Sequence, residues 1–264
     1  MAMMNALFTA ASGMSAQQMN LDVIANNLAN VSTTGFKESR VNFENLLSQM
    51  IRTPGAQVAS GIQEPSGISE GLGVRPGSTE RIFTQGTLTQ TNNPLDLAIQ
   101  GNGFFQITLP DGTTAYTRAG SFQVDSTGRL VTADGFPVSP QITIPQNAIS
   151  LSVGEDGTVS ALLQGQTTPT VVGQITLANF INPAGLMNDG QNLYLQTAAS
   201  GPPIIGTAGI NGLGSLQQGY LENSNVDAVN QLINVILAQQ AFEYNSRVIT
   251  SSNNMLSTVE QMVT

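Results

Sequence analysis

Three residue types are absent from the 264-residue sequence: histidine, cysteine and tryptophan. Without histidine, no imidazole can activate a serine or cysteine nucleophile or bind a metal ion. Without cysteine, the chain can form no disulfide, thiolate zinc site or redox motif. The sequence therefore excludes the enzyme classes that depend on these groups. A pair of carboxylates, as used in glycoside hydrolysis, needs neither residue type and is not excluded by composition.

Charged residues are scarce as well, at 9% of the chain, against about 25% in a typical soluble protein. The 17 acidic and 8 basic residues give a formal charge of −9, and no cation lies between Arg129 and Arg247. The basic surface of a nucleic-acid-binding protein is therefore missing. Aromatic residues make up only 5%, which leaves few rings for stacking on sugars. This composition predicts a protein that is not an enzyme and has no cofactor, metal ion, nucleic-acid partner or small-molecule substrate.

Long hydrophobic runs are missing too, since no segment approaches the roughly 20 consecutive apolar residues of a membrane helix. The small, apolar N-terminus up to Ala16 could be mistaken for a secretory signal. Its first cation, however, is Lys37, and Asn5, Ser12 and Gly13 interrupt the run. A signal peptide needs a cationic start and a solid hydrophobic stretch. The sequence thus predicts no cleavable signal peptide.

An amphipathic pattern is present at each end of the chain. In the first segment, apolar residues recur at alternating spacings of four and three, which predicts a helix able to form a coiled coil. The positions of this pattern are Met3, Leu7, Ala10, Met14, Gln17, Leu21, Ile24, Leu28 and Val31. Because Gly13 lowers helix stability by roughly 0.5–1 kcal/mol, packing against a neighbour has to supply most of the stability.

The last segment begins with Ser224-Asn225-Val226-Asp227, which matches a capping box and precedes a second apolar pattern. The main stripe of this predicted helix consists of Val229, Ile233, Ile236, Gln240, Tyr244, Val248, Met255 and Val259. Further apolar residues, such as Leu232 and Phe242, lie off the stripe, so one partner helix could not bury the whole surface. Two terminal helices packed on a single globular core are the simpler alternative.

The middle of the chain has the pattern of an antiparallel β domain. Apolar residues alternate in short runs, for example at Leu95, Leu97 and Ile99. Turn signals such as Asp134-Gly135 separate the runs at intervals of about ten residues. We therefore predict a β domain over residues 95–197.

Two further stretches have the composition of linkers, because they are rich in glycine and proline and poor in large apolar residues: 52–77 and 200–214. Together the patterns predict an α+β fold class. Its parts are long N- and C-terminal helices that form a coiled-coil-like pair, a mainly antiparallel β domain in the middle, and an extended Gly/Pro-rich connecting region.

Several motifs resemble those of one known family. Residues 25–37 (ANNLANVSTTGFK) are similar to the N-terminal signature of bacterial flagellar rod and hook proteins. Residues 86–105 and 117–122 resemble the middle motifs of that family, and residues 219–227 resemble its C-terminal motif. The family-motif residues are Asn26, Asn27, Asn30, Gly35, Phe36, Ser224, Asn225 and Asp227.

Within this family, residues 52–57 and 73–76 resemble the insertion of rod members, with Pro54, Gly55 and Gln57 as its marked positions. The hook protein is longer, and the smallest rod subunits lack room for a middle β domain. The resemblance thus implies a structural subunit of the rod, a rigid hollow drive shaft that transmits torque and passes exported subunits. A hook or proximal rod subunit is the alternative within the family. A secreted β-rich adhesin or carbohydrate-binding protein is the remote alternative.

The resemblance also implies a helical polymer of identical subunits with three layers. Residues 1–35 and 224–264 would form the axial core, 36–94 and 198–223 an extended intermediate region, and 95–197 an outer β domain. The implied partners are proximal rod and hook subunits, basal-body ring proteins and the flagellar export apparatus. The implied location is the basal body, from periplasm to outer membrane, after export without a cleaved signal peptide.

If the terminal helices form that axial core, their apolar stripes hold neighbouring subunits together. The side chains expected at these contacts are Leu7, Met14, Leu21, Ile24, Leu28, Val31, Val229, Ile233, Ile236, Tyr244, Val248, Met255 and Val259.

Overall fold

The structure of the chain is a computed structural model that describes residues 2–54, 57–59, 62–63 and 66–263. It divides into two compact units, each built from segments that are far apart in the sequence. The helical unit consists of Met1–Leu28, Ser39–Glu80 and Ala228–Thr264, and the sheet unit consists of Ala29–Glu38 and Arg81–Asp227.

The helical unit contains a long helix from each end of the chain and short strands between them. Its elements are α1 (Ala2–Ala29), β1 (Ser39–Asn45), β2 (Gln49–Arg52), β3 (Gln57–Ala59), β4 (Ile62–Gln63), β5 (Ile68–Glu70), β6 (Val74–Arg81) and α2 (Ala228–Val263). Strand β1 pairs with β6, β2 with β5, and β3 with β4. All four side chains of β2 are exposed, so its ribbon with β5 contributes little core.

The sheet unit holds the remaining strands and a 3₁₀ turn at Pro183–Gly185. Its strands are β7 (Leu88–Gln90), β8 (Leu97–Gln100), β9 (Phe104–Thr108), β10 (Thr114–Thr117), β11 (Gln123–Val124), β12 (Leu130–Val131), β13 (Val138–Ser139), β14 (Ala148–Val153), β15 (Thr158–Leu163), β16 (Thr170–Gln174), β17 (Thr176–Asn179), β18 (Met187–Gly190), β19 (Leu193–Leu195), β20 (Ile204–Thr207), β21 (Ser215–Gln218) and β22 (Tyr220–Glu222).

The main sheet of this unit has 7 strands in the order β18-β19-β10-β9-β17-β20, with β13 as an additional partner of β9. One edge of β9 pairs with β10, and its other edge pairs first with β17 and then with β13. Strands β14, β15 and β16 form a separate sheet, while β21–β8, β22–β7 and β11–β12 are two-stranded. All of these ladders are antiparallel, as the short runs and turn signals predict.

The core of the sheet unit lies on both faces of β9. Phe105 belongs to the larger apolar cluster, and Phe104 belongs to an aromatic cluster with Tyr194. Successive residues of a strand point to opposite faces, so a strand that is covered on both faces loses the alternation of apolar and polar residues. Strand β8 shows the same effect, because Ala98 is buried between Leu97 and Ile99. The apolar residues that alternate in the sequence therefore mark only one of the two buried faces, and the residues between them are buried on the other face.

The turns of the sheet unit fall where the sequence places them. At Asp134-Gly135, the N–H of Gly135 donates to the carbonyl of Thr132 at 3.0 Å. Three other turns are closed by an aspartate that accepts hydrogen bonds from a threonine two residues further on, as in an Asx turn. These pairs are Asp111 with Thr113, Asp125 with Thr127, and Asp156 with Thr158.

Residues 200–214, which have the composition of a linker, contribute to the core instead. Strand β20 is an edge strand of the main sheet and pairs with β17. Ala208 and Leu213 belong to the larger apolar cluster. An edge strand needs only a few apolar residues on one side. When the composition is averaged over the whole stretch, the many glycines and prolines outweigh these few apolar residues, so the average resembles that of a linker. The linker interpretation of this stretch is wrong.

Both terminal helices are present, which confirms the α+β fold class, but their ends differ from the prediction. Helix α1 ends at Ala29, so Val31 lies in a turn after the helix. Helix α2 begins at Ala228. The hydroxyl of Ser224 accepts a hydrogen bond from the N–H of Val226 at 3.2 Å, because a serine can bond locally instead of capping. Ser224 is therefore not the N-cap, and the capping-box prediction is wrong.

The predicted division into three layers concerns the place of each segment in a polymer, and it stays a prediction. Neither described helix combines the length and the apolar character that a membrane crossing would require.

Candidate assembly surface and a buried ion cluster

Helix α2 turns one face toward its own unit. Most of its buried and half-buried residues follow a heptad pattern, namely Gln231, Val235, Ala238, Asn245, Ile249 and Ser252. Ala228, Ala241 and Ser246 are half-buried as well. This face contacts α1 at Gly13, where a Cβ atom would lie only 2.9 Å from the side-chain nitrogen of Asn245. The missing side chain at Gly13 therefore lets the two helices approach closely.

The opposite face of α2 carries the apolar stripe that the sequence predicts as an assembly surface. Its large side chains are between 45% and 67% exposed, namely those of Val229, Ile233, Ile236, Tyr244, Val248, Met255 and Val259. A contiguous apolar row of this kind marks an interaction site in a soluble protein. We call these residues the α2 stripe.

The predicted assembly residues of α1 are placed less uniformly. Leu7, Met14, Leu21 and Leu28 are half-buried within the chain, as is Val31 beyond the end of the helix. Ile24 is only 5% exposed, so it serves the core of the helical unit itself. Phe8 and Met4, which lie off the predicted pattern, are 66% and 61% exposed. The exposed apolar surface of α1 is thus partly different from the one that the heptad pattern selected.

The family-motif residues near the end of α1 fix the start of the first strand. Asn27 is buried; its Nδ2 donates to the carbonyl of Ser39 at 2.8 Å, and its Oδ1 accepts from the N–H of Ser39 at 3.0 Å. Asn30 accepts a hydrogen bond from the hydroxyl of Thr33 at 3.1 Å, and Asn26 is exposed. One buried carboxamide therefore joins α1 to β1.

Gly35 and Phe36 bring the N-terminal motif against the C-terminal one within the sheet unit. Gly35 has a φ of +70°, and a Cβ at this position would lie 2.6 Å from the backbone nitrogen of Ala119. Its N–H donates to the carbonyl of Glu222 at 2.8 Å. The buried Phe36 accepts a hydrogen bond from the N–H of Asn225 through its carbonyl. Only glycine fits this left-handed and crowded position.

The side chain of Asn225 holds three segments together. Its Oδ1 accepts from the N–H of Glu38 at 2.7 Å, and its Nδ2 donates to the carbonyl of Ile82 at 2.9 Å and to the hydroxyl of Thr84 at 2.9 Å. Of the neighbouring motif residues, Ser224 is buried and Asp227 is exposed. The hydrogen bonds of its side chain therefore explain why an asparagine stands at position 225 of the C-terminal motif.

Lys37, Arg118 and Glu222 form an ion cluster in the interior of the sheet unit, with side chains 0%, 3% and 0% exposed. The Nζ of Lys37 donates to Glu222 Oε1 and to the carbonyl of Thr84, both at 2.6 Å. Arg118 Nη1 donates to Glu222 Oε2 at 3.4 Å, and the N–H of Gly86 donates to Oε1 at 3.0 Å. Buried charges are stable only when they are paired and hydrogen-bonded, and Glu222 meets both conditions.

Burial also changes the acidity of the two cations. It lowers the pKa of Lys37 below its ordinary value of 10.5, although Glu222 counteracts the effect. The pKa of Arg118 is lowered by burial in the same way. The guanidinium of Arg118 lies 5.4 Å from the ring centre of Phe104, and that of Arg81 lies 5.2 Å from the ring of Tyr194. The single carboxylate of Glu222 cannot balance more than one positive charge, and the faces of these two rings stabilise the guanidinium groups beside them.

These three ionic residues lie within the sequence motifs, but the motifs alone indicate no role for them. A signal was present, since charges are rare in this chain and these occur among small and apolar residues. Lys37 and Glu222, however, are separated by 185 positions. Only the sheet topology brings them together.

The rod-type positions lie in the helical unit. Pro54 is exposed shortly after β2, and Gln57 is the first residue of β3, where it pairs with Gln63. Gly55 lies outside the described residues. Across the part of the chain that the structure describes, no group of three or more acidic side chains is arranged to hold a metal ion.

Three family models match successive parts of the chain. "Flagella basal body rod protein" matches residues 7–37, "Flagellar hook protein FlgE/F/G D1 domain" matches 98–161, and "Flagellar basal body rod FlgEFG protein C-terminal" matches 217–262. Each match contains one member of the ion cluster. The three matches all belong to one class, the hook and rod proteins of the flagellum.

Full-length relatives narrow this class. The flagellar basal-body rod protein FlgG of Buchnera aphidicola subsp. Acyrthosiphon pisum is 50% identical over 260 residues, covering 98% of this chain and 100% of the relative. FlgG of Caulobacter vibrioides is 51% identical over 260 residues, with 98% and 99% covered. The flagellar basal-body rod protein FlgF of the same species is 36% identical over 263 residues, with 98% of each chain covered. The chain belongs to the FlgG family of flagellar basal-body rod proteins, the structural subunits of the flagellar rod.

Proposed function

We propose that this chain builds the distal part of the flagellar rod, a straight, rigid and hollow shaft that transmits torque and passes exported subunits. The observation that supports the proposal is the exposed α2 stripe. Apolar surface gains about 25 cal/mol for each Å² removed from water. In a polymer of identical subunits, neighbouring copies cover the stripe at every position. Many weak, repeated helix contacts would then carry the torque.

The proposal also assigns a place to each segment. The terminal segments 1–35 and 224–264 line the axis, 36–94 and 198–223 surround them, and 95–197 faces outward. Proximal rod and hook subunits are the axial neighbours, and the basal-body rings enclose the shaft between periplasm and outer membrane. The flagellar export apparatus delivers the chain without cleavage of a signal peptide. The role involves no catalytic step and no cofactor.

Ile236→Asp tests the assembly surface. Ile236 is 53% exposed in the single chain, so the carboxylate is hydrated there and the isolated chain should fold normally. In the polymer the side chain is buried. Losing the isoleucine costs about 2–5 kcal/mol per contact, and an unpaired buried carboxylate adds several more. Polymer formation by purified chain, measured by sedimentation and electron microscopy, should be abolished.

The matched control is Gln239→Asp, at an exposed polar position of the same helix that lies outside the α2 stripe. The same charge should be tolerated there. Equal loss of assembly in both variants would show that the face is misassigned, and normal polymers of Ile236→Asp would show that α2 is not the assembly surface. Polymer shape tests the family alternative, because a curved and flexible tube from the unmodified chain would indicate a hook subunit.

A further inference from the structure

Met255 is the methionine of the α2 stripe, and its side chain is 49% exposed in the single chain. It lines a shallow depression of about 400 Å³ on α2, together with Ser251, Asn254, Thr258 and Val259. Three of these four neighbours have short polar side chains, so the thioether is open to small molecules in solution. Position 255 therefore combines a place in the assembly surface with chemical accessibility.

The thioether of methionine is the most readily oxidised group of this chain, because cysteine and tryptophan are absent. Hydrogen peroxide transfers one oxygen atom to the sulfur, which is oxidised to a sulfoxide, while the peroxide is reduced to water. The thioether is apolar, whereas the sulfoxide is polar, and methionine sulfoxide reductases reverse the change. Met255 can therefore exist in an apolar and a polar form without any change in the covalent backbone.

A sulfoxide at position 255 is unfavourable wherever the stripe is covered. In the free chain its oxygen accepts hydrogen bonds from water, and burial against a neighbouring subunit removes that water. The adjacent hydroxyl of Thr258 does not replace it, because a hydroxyl has one proton to donate and this one already donates to the carbonyl of Asn254 at 2.9 Å. Burying an unpaired polar group weakens association by roughly 5- to 150-fold.

We infer that reversible oxidation of Met255 controls assembly: a free chain that carries the sulfoxide is excluded from the polymer, and burial in the polymer protects the thioether from peroxide. The inference rests on the proposed function, in which a neighbouring copy covers the α2 stripe. Both effects have one cause, because the burial that makes the sulfoxide unfavourable also keeps the oxidant away. Assembled subunits therefore stay reduced, while unassembled ones are open to reversible inactivation.

The chain contains an internal control, since Met187 in β18 is 52% exposed and lies in the sheet unit, outside the α2 stripe. Purified free chain is partly oxidised with hydrogen peroxide, polymerised and sedimented, and mass spectrometry measures the sulfoxide fraction of each methionine in pellet and supernatant. The ratio of sulfoxide to thioether at Met255 should be at least about 5-fold lower in the pellet, whereas that at Met187 should be equal in both. Treating the supernatant with methionine sulfoxide reductases should restore polymerisation.

Equal sulfoxide fractions at Met255 in pellet and supernatant would overturn the inference, as would equally fast oxidation of Met255 in free chain and in preformed polymer. Met255→Leu keeps an apolar side chain of similar size, so it should polymerise, and the same peroxide treatment should inhibit it less than the unmodified chain. Met187→Leu should be inhibited as strongly as the unmodified chain, and equal inhibition of both variants would also overturn the inference. Failure of the untreated chain to polymerise contradicts the proposed function, whereas polymer that takes up the oxidised form contradicts only the role of Met255.

Discussion

Replacing Glu222 by glutamine removes the carboxylate from a cluster in which both cations are buried. A glutamine at this position keeps an oxygen that can accept from Lys37 Nζ and from the N–H of Gly86, so the shape and much of the hydrogen bonding persist while the charge disappears. Breaking a buried ion pair by removing one partner costs about 3–5 kcal/mol. The whole free energy of unfolding of a domain is typically about 5–15 kcal/mol. Glu222→Gln should therefore remove a large share of the stability of the sheet unit.

The chain contains a matched control on its surface. Glu80 lies 3.1 Å from Arg40, and the side chains of this pair are 41% and 61% exposed. Exposed pairs contribute about 0–1 kcal/mol, so Glu80→Gln should hardly change the stability. Urea unfolding of dilute chain measures both variants. Tyrosine fluorescence follows the sheet unit, because Tyr116 and Tyr194 are buried there and the chain has no tryptophan. Circular dichroism of the helices follows the helical unit, to which Glu80 belongs.

An effect of Glu222→Gln below about 1 kcal/mol, the range of an exposed pair, would refute the reasoning that Glu222 compensates buried cations. Lys37→Met in the Glu222→Gln background should restore part of the stability, because one buried cation fewer is left unpaired. Residues in one network show such non-additive effects. Simple addition of the two single losses would contradict the coupling.

Three further predictions concern the backbone, the acid response and the rod-type segment. Gly35→Ala should destabilise the chain by about 2–5 kcal/mol in urea unfolding, since it adds left-handed strain and a clash with Ala119. The control is Gly112→Ala, because Gly112 also has a left-handed φ, of +83°, but has open space around it. This control should lower the free energy of unfolding by only about 1–2 kcal/mol. The hydroxyl and N–H of Thr113 hold the pKa of Asp111 below its ordinary 3.8. Near its pKa, Asp111 therefore binds fewer protons in the folded chain than in the unfolded chain. The hydrogen bonds to its carboxylate stabilise the fold at pH values above 3.8, and this contribution disappears as the pH falls through the lower pKa of the folded chain. Asp111→Asn keeps the accepting oxygen and should reduce the loss of unfolding free energy between about pH 5 and pH 2; an unchanged acid response would contradict it. Replacing residues 53–67 by Asn-Gly joins the register partners Arg52 and Ile68 through a two-residue hairpin turn. The urea midpoint of the sheet unit should stay the same while rods become bent or unstable in electron micrographs, and an unfolded chain would show that this segment belongs to a core.

The features that could be predicted from the sequence are those that depend on neighbours along the chain. The period of the α2 stripe predicts a helix with one apolar face, because residues three and four positions apart lie on the same side. The Asp134-Gly135 signal predicts its turn for an equally local reason. Secondary structure at both ends and the antiparallel character of the middle followed from such signals.

The features that escaped prediction depend on what covers a residue. Gln231 lies off the apolar stripe, which suggests a solvated position, yet it is only 3% exposed because a second, less apolar face of α2 turns toward the helical unit. Leu213 lies in a glycine-rich stretch and is nevertheless part of the core. The ion cluster joins Lys37 to Glu222 through the sheet topology, which no short pattern reveals. In each case the decisive partner is distant in sequence.

The buried face of α2 has a consequence for how subunits join. It includes small residues such as Ala238 and Ser252, which bury little area, beside the half-buried Val235 and Ile249, and it meets α1 at Gly13. Most of the large apolar side chains of α2 are exposed. A helix gains most of its stability from packing, so in the proposed polymer other copies would supply much of the free energy that orders α2. A subunit that binds to the end of such a polymer would contact the exposed apolar faces of several subunits at once, whereas two free subunits would contact only each other. In the proposed polymer, elongation would then be favoured over the start of new polymers, and dilute chain would stay monomeric until it meets a growing end.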